Sequence, residues 1–115
     1  MTEKVNVDAD DDIDVRDHPA AHRFEVWVGD ERAGFTHYVD RGHGVVAFVH
    51  TEIEPRFEHH GLAGRLIGEA LAAARDRGWA VLPECPFVRA HLQKHPELVD
   101  LVPADERIVF GLDQR

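Results

Sequence analysis

The strongest chemical signal in this chain is a loop of small residues between a strand pattern and a helix pattern. An apolar run over residues 45–49 leads to Ile53, and Pro55 ends the strand because it has no donor for a ladder hydrogen bond. The helix pattern then begins with the small residues Gly61, Ala63 and Gly64. A helix start without bulky side chains leaves backbone N–H groups open, and the helix dipole adds partial positive charge. The segment therefore predicts a binding site for a phosphate group.

Other chemical motifs are weaker. The nine histidines suggest a metal site, and His91 and His95 are four residues apart on one helix, which gives half of such a site. His59 and His60 are adjacent and should point apart, and Cys85 is the only cysteine. No Gly-Lys-Ser/Thr follows the glycine loop, which excludes a Walker loop, and a Rossmann fingerprint is absent. We therefore expect no metal.

Composition limits the possible function classes. With 115 residues, the chain has room for one domain and one modest core. The net charge of −9 disfavours nucleic acid as a partner, since duplex binding needs a basic face. No apolar run approaches the roughly 20 residues that span a bilayer, so no membrane partner is expected. The polar N-terminus is unlike a secretory signal, and the single cysteine fits a reducing, cytoplasmic location.

The acidic charge is concentrated at the start of the chain. Residues 1–17 contain seven acidic side chains and two basic ones. This charge excess predicts a mobile acidic arm over residues 1–17, which confers solubility or grips a basic partner. The domain itself is then expected over residues 18–115.

The first half of that domain has strand patterns. Residues 22–28 alternate between apolar and polar side chains, and a turn separates them from a second strand over residues 33–39, which predicts a hairpin. A second turn at residues 40–44 leads to a third strand over residues 45–54, the most apolar and therefore the central one.

The second half alternates between helices and strands. An amphipathic stripe predicts a helix from Gly61 to Arg77, and a short strand over residues 79–82 follows it. Pro86 suits the first turn of a second helix that ends near His95. We expect an apolar docking segment over residues 98–102 and an edge strand over residues 108–110. The fold class is therefore α/β, a mixed sheet with an antiparallel meander followed by a βαβα unit.

Four segments together resemble a known family. They are residues 51–55 (Thr-Glu-Ile-Glu-Pro), 61–63 (Gly-Leu-Ala), 83–88 (Pro-Glu-Cys-Pro-Phe-Val) and 95–97 (His-Pro-Glu). In this spacing they resemble the minimal single-domain branch of the GNAT N-acetyltransferases, which has a Cys-Pro-Phe segment. The resemblance extends from about Phe24 to Val102. It implies a GNAT-like fold and transfer of an acetyl group from acetyl-CoA to an amine of unknown identity. The acceptor expected from the open acceptor side described below is a protein or a polyamine.

The resemblance also implies how acetyl-CoA is held. Backbone amides from His59 to Gly64 would bind the pyrophosphate, and the backbone near Ile53 would bind the pantetheine arm and thioester. The expected coenzyme-binding residues are Ile53, His59, His60, Gly61, Leu62, Ala63, Gly64 and Arg65. Two features depart from the family pattern. Glu58 stands where Gln or Arg is usual, so its carboxylate should point outward or pair with Arg56. The frequent tyrosine on the next helix is missing, because Tyr38 is the only tyrosine.

Amine acetylation needs a base for the ammonium proton and an acid for the departing thiolate. Glu52 and His50 share one strand face by the period of two, so both are candidate bases. Cys85 follows the fourth strand, where the carboxyl ends of neighbouring strands diverge and ligands bind. It is a candidate nucleophile or acid, and a small buried apolar residue is the alternative.

The acceptor side is expected to be open. Only four residues separate Val28 from Ala33, so the two helices that a full-length GNAT has between its first strands do not fit. The acceptor site should be shallow unless a second subunit of a homodimer closes it. Two alternatives remain at this point: a non-catalytic acyl-CoA sensor or interaction module, and a structural domain whose glycine loop binds no phosphate.

Overall fold

The computed structural model describes residues 12–112, and the expected α/β class is confirmed. One five-stranded sheet has the strand order β1-β2-β3-β4-β5, antiparallel from β1 to β4 and parallel between β4 and β5. The strands are β1 (Ile13–His18), β2 (Arg23–Val28), β3 (Glu31–Gly42), β4 (Val45–Ile53) and β5 (Ala80–Pro83). The helices are α1 (Leu62–Asp76), between β4 and β5, and α2 (Pro86–Lys94). In residues 12–112, no helix is long and apolar enough to cross a membrane.

The first strand corrects the expected mobile arm. Residues 13–17, which the charge count assigned to that arm, belong to β1 and pair antiparallel with β2. Ile13 and Val15 are partly buried against the core and alternate with exposed Asp14 and Arg16. This alternation is a strand signal that the excess of acidic residues concealed. Residues 1–11 of the predicted arm lie outside the described residues.

The predicted edge strand over residues 108–110 is wrong. These residues lie in consecutive turns, where the Phe110 N–H donates to the Glu106 carbonyl at 3.3 Å. Ile108 and Val109 are 80% and 74% exposed, so neither is drawn into the sheet. A run of three apolar residues is too short for its periodicity to separate a strand from a helical turn. The docking segment is confirmed as a 3-10 helix over Pro96–Leu101, followed by buried Val102.

The core lies on one face of the sheet. The buried stripe of α1 consists of Leu62, Leu66, Ile67, Ala70, Leu71 and Ala74. It joins Val88 and Leu92 of α2 and the side chains Phe24, Phe48 and Val81 of the sheet in one apolar cluster. The opposite face, which we call the open face, has neither α1 nor α2 packed on it. It carries Glu25, Trp27, Phe35, His37, His50 and Glu52, which alternate with the core residues along β2, β3 and β4.

One carboxylate on the open face is buried although no helix covers it. Glu25 is 5% exposed, and its oxygens accept hydrogen bonds from Arg23 at 2.8 Å and from the Trp27 indole at 3.0 Å. The His18 ring nitrogen lies 3.1 Å from the same carboxylate. Burial alone would raise the pKa of Glu25, but the hydrogen bonds from His18, Arg23 and Trp27 outweigh it and lower the pKa from 4.5 to about 2.

This pKa predicts that Glu25 stabilises the fold in a pH-dependent way. The carboxyl group binds a proton near pH 4.5 in the unfolded chain but only near pH 2 in the folded one. Its contribution to the free energy of unfolding is therefore complete above about pH 5 and is lost as the pH falls towards 2. We expect Glu25→Gln to lower that free energy at neutral pH by about 1–3 kcal/mol, because the guanidinium groups of Arg23 and Arg32 lose their carboxylate partner.

Urea unfolding as a function of pH measures both effects. The matched control is Glu69→Gln, which removes an exposed carboxylate bonded to Arg65 at 2.6 Å and should cost under about 0.5 kcal/mol. If Glu25→Gln matches the parent protein in stability and in its decline below pH 5, the assigned role of Glu25 is wrong.

Candidate functional site

A cavity of about 370 Å³ lies at the carboxyl end of β4. Apolar side chains form one part of its wall: Ile53 at the end of β4, Phe57 in the 3-10 turn after it, Leu62 of α1 and Phe87 of α2. The loop before α1 completes the wall with Glu58, His59 and Gly61, and Ala63 follows in the first turn of the helix. We call this space the β4 cavity.

The space exists because β4 and β5 separate. Their parallel pairing runs from Val45 opposite Ala80 to Phe48 opposite Pro83 and ends there. The Cys85 N–H then donates to the Phe48 carbonyl at 2.8 Å, and the chain turns into α2. β4 continues alone on this side to Ile53, so a gap opens between its last residues and the start of α2.

A glycine of β3 fixes the end of β4. Gly34 pairs with Ile53, and a Cβ atom added to Gly34 would lie 2.4 Å from the Glu52 carbonyl oxygen and 2.6 Å from Ile53 Cδ1. Only glycine allows this approach, so the residue type at position 34 determines where the Ile53 side chain lies on the cavity wall.

The loop before α1 presents backbone donors. His59 and Gly61 adopt left-handed backbone conformations, with φ of 70° and 76°, and Gly61 is the N-cap of α1. The first-turn N–H groups of Leu62, Ala63 and Gly64 have no acceptor within the helix. A Cβ atom added at Gly61 or Gly64 would meet nothing within 4 Å, so both glycines border open space. This geometry suits a phosphate group at a helix N-terminus.

The charged side chains around this loop are mostly engaged. Arg56 pairs with Glu31, Arg65 with Glu69, and Arg89 donates to the carbonyls of Pro83 and Glu84. His60 is exposed and outside the cavity wall. Glu58, for which we expected an outward orientation or a pair with Arg56, is exposed and also lines the β4 cavity.

His50 and Glu52 lie together, but on the open face. His50 Nε2 is 2.9 Å from Glu52 Oε2, and the His50 ring lies 6.1 Å from the Phe35 ring. Their side chains are 56% and 61% exposed, and neither lines the β4 cavity. The period of two thus holds for the pair, while Thr51 between them points into the core. Strand β4 separates this pair from the cavity.

Cys85 is buried beneath the point where the strands separate. It is 1% exposed and is the N-cap residue of α2. Its thiol donates to Thr51 Oγ1 at 3.2 Å, and that hydroxyl is 2.9 Å from the Thr36 hydroxyl. The three groups form a buried polar chain from α2 to β3, and Cys85 is not part of the cavity wall.

Phe57 and Phe87 are wall residues that the sequence reasoning did not assign to the site. Phe87 is 53% exposed, although the helix stripe of Val88 and Leu92 beside it is fully buried. The available signal was that Phe87 lies outside the buried stripe of its helix. An apolar ring at such a position is not explained by packing in the core. Phe57 is 1% exposed, so it is a core residue that also forms part of the cavity wall.

The described histidines form no metal site. In residues 12–112, no group of three His, Cys, Asp or Glu side chains is arranged to hold a metal ion. The rings of His91 and His95 lie 4.4 Å apart, and His95 is 3.5 Å from Glu97. Burial and the neighbouring His95 lower the pKa of His91, which favours its neutral form.

One comparison with known proteins found a match. A family model described as GCN5-related N-acetyl-transferase matches residues 23–101. That range includes strands β2 to β5, both helices and the whole wall of the β4 cavity. No curated protein matches the chain.

The close approach at Gly34 yields a stability prediction. Gly34→Ala should lower the free energy of unfolding by about 2 kcal/mol or more, because the new methyl group overlaps the backbone of β4. Gly64→Ala is the matched control: it adds the same methyl group to a helix beside open space and should stabilise by about 0.5–1 kcal/mol. Thermal and urea unfolding measure both variants, and equal effects would contradict the role of Gly34.

Proposed function

Because the chain belongs to the GCN5-related N-acetyltransferase family, we propose that it transfers an acetyl group from acetyl-CoA to an amine. The observation that carries the proposal is the β4 cavity, which joins apolar walls to a glycine-bordered helix start. A coenzyme A molecule has the same two parts, an apolar-tolerant pantetheine arm and a charged pyrophosphate. The family supports a general acetyltransferase role, and the residue roles below are our assignments.

We assign the pyrophosphate to the backbone from His59 to Gly64. The left-handed loop and the unpaired first-turn N–H groups of α1 support this assignment. Of the expected coenzyme-binding residues, Leu62 contributes an apolar wall, and the Ile53 backbone is the proposed contact for the pantetheine arm and thioester. Arg65 follows Gly64 in the first turn of α1 and bonds to Glu69 at 2.6 Å.

We assign the base to Glu52, with His50 as its hydrogen-bonded partner. Acetyl transfer forms a bond between the amine nitrogen and the acetyl carbonyl carbon and breaks the carbon–sulfur bond of the thioester. Glu52, 2.9 Å from His50, accepts the proton that the amine loses. The acceptor then approaches from the open face while the coenzyme lies on the helix side, and the two meet at the end of β4.

We assign the proton for the coenzyme thiolate to Cys85. The Cys85 thiol donates to Thr51 Oγ1 at 3.2 Å inside the core, and its 1% exposure keeps the sulfur away from a thioester carbon. This burial favours an acid over a nucleophile. Glu84, which precedes Cys85, is instead engaged by Arg41 at 3.0 Å.

Two observations favour a second candidate, an acyl-CoA-binding module without turnover. The wall of the β4 cavity includes neither the Glu52–His50 pair nor Cys85. A coenzyme could therefore bind while its thioester meets no proton carrier. Calorimetry with acetyl-CoA, together with release of free thiol in the presence of an amine panel, separates the two candidates. Binding with release supports the transferase, binding without release across the panel supports the module, and no binding contradicts both.

The phosphate assignment predicts a steric block. Gly64→Leu places a side chain in the open space at the start of α1 and should weaken acetyl-CoA binding at least about tenfold, or about 1.4 kcal/mol. Ala72→Leu is the control, because it adds the same side chain at an exposed position of the same helix. Calorimetric titration measures both, and an unchanged affinity in Gly64→Leu would exclude this helix start as the pyrophosphate site.

The roles assigned to Glu52 and Cys85 predict that their variants lose kcat while they keep their affinity for acetyl-CoA. Glu52→Gln should lower kcat about 100-fold or more, and Cys85→Ala should lower it by a similar factor, because general acid–base groups contribute about 10²–10⁴. Acetyl-CoA affinity should stay at the level of the parent, as it should in the control Glu69→Gln. Rates of thiol release compared with calorimetric affinities test this. A Glu52→Gln or Cys85→Ala variant with the parent's kcat would remove that residue from the mechanism.

A further inference from the structure

A second cavity lies at the other end of β4. It has a volume of about 310 Å³, and the rings of His22, Tyr38, His43 and Trp79 line it together with Asp40. It borders the turn between β3 and β4, whereas the β4 cavity lies beyond Ile53. At about 3.3 Å per strand residue, the length of β4 places the two cavities about 25 Å apart. We call this space the aromatic cavity.

The rings of the aromatic cavity are set at steep angles. The centroids of Tyr38 and Trp79 are 5.3 Å apart with an interplanar angle of 56°, and those of His22 and Tyr38 are 6.2 Å apart at 73°. The faces of Tyr and Trp rings carry negative partial charge and attract cations. Such walls are a poor environment for an anion.

The carboxylate beside the cavity has the sign that attracts a cation. Asp40 carries the one carboxylate among the lining residues, and it is exposed at the cavity rim. Its Oδ1 accepts the Gly42 N–H at 2.8 Å, which fixes the carboxylate beside the turn. No Lys or Arg side chain contributes to the lining.

A cation already contacts the same indole from outside the cavity. The Arg77 guanidinium lies 5.1 Å from the Trp79 ring and pairs with Asp17 at 2.8 Å. Arg77 is not a lining residue, so its side chain does not fill the cavity. Its charge is balanced by Asp17. The Trp79 ring thus lies in a setting that accommodates a positive charge when a carboxylate is close.

We propose that the aromatic cavity binds an organic ammonium group, of the methylated kind found in choline or methylated lysine. Three observations support this: aromatic walls, a carboxylate at the rim and a volume at the small end of ligand sites. A methylated ammonium group prefers this combination because it is weakly hydrated and contacts ring faces through its methyl groups. The site is separate from acetyl transfer, and the acceptor amine of that reaction binds elsewhere.

Choline and 3,3-dimethyl-1-butanol are the matched probes, because they have the same shape and differ in the charge. The chain has two tryptophans, so its heteronuclear NMR spectrum contains two indole N–H signals. Choline should shift the Trp79 signal in a saturable way and leave the Trp27 signal, on the open face, unchanged. The neutral probe should bind at least about tenfold more weakly, the factor that a cation–π contact of this kind supplies.

Asp40→Asn tests the carboxylate. This variant keeps an oxygen for the Gly42 N–H while it removes the charge, so the turn should persist. It should weaken choline binding several-fold without changing the affinity for acetyl-CoA. The control is Asp30→Asn, which removes an exposed charge from the turn between β2 and β3. The proposal is overturned if the Trp79 signal does not saturate with choline, if the two probes bind equally, or if Asp40→Asn binds choline as the parent does.

Discussion

The candidate site depends on the point at which the ladder between β4 and β5 ends. Pro83 is the last paired residue of β5, and it has no N–H group with which to continue the ladder. The next donor on this side, the Cys85 N–H, bonds to the Phe48 carbonyl and directs the chain into α2. β4 nevertheless continues to Ile53, because β3 still pairs with it on the other edge. The gap between the two strands becomes the β4 cavity.

Strand β4 therefore divides the chemistry between two faces. Its core-facing side carries Thr51 and Ile53, which contact Cys85 and the cavity wall. The open face carries His50 and Glu52 as a hydrogen-bonded pair. A two-residue turn joins β2 to β3, so no helix between these strands covers this face. The pair is therefore open to an acceptor that does not pass through the β4 cavity, and in the proposed transfer the two substrates meet at the end of β4.

Burial of polar groups follows the same geometry. Glu25 on the open face is shielded by the side chains of its own hydrogen-bond donors and not by a helix. Inside the core, Thr36, Thr51 and Cys85 satisfy one another where the strands separate. Among the described residues, no buried side-chain nitrogen or oxygen atom lacks a hydrogen-bond partner. The β4 cavity and the aromatic cavity lie at the two ends of β4, and their chemistry differs with the residues found there.

Local patterns in the chain were sufficient to predict most of the helices and strands and the loop at the start of α1. The α1 stripe, the β2–β3 hairpin and the Gly61 helix start follow from periodicity and turn chemistry, which act over a few residues. The same local reasoning paired His50 with Glu52. It failed for β1, where charge concealed the alternation of Ile13 and Val15, and for residues 108–110, where the run was too short.

Folding in three dimensions decided the rest, because register and packing join residues that are distant in the chain. The burial of Cys85 behind Thr51, the approach of Gly34 to Ile53 and the exposure of Phe87 on the cavity wall each depend on such contacts. The same holds for the separation of the Glu52–His50 pair from the β4 cavity. A period of two indicates which residues share a face of a strand, but only the packing of the helices determines which face becomes the core.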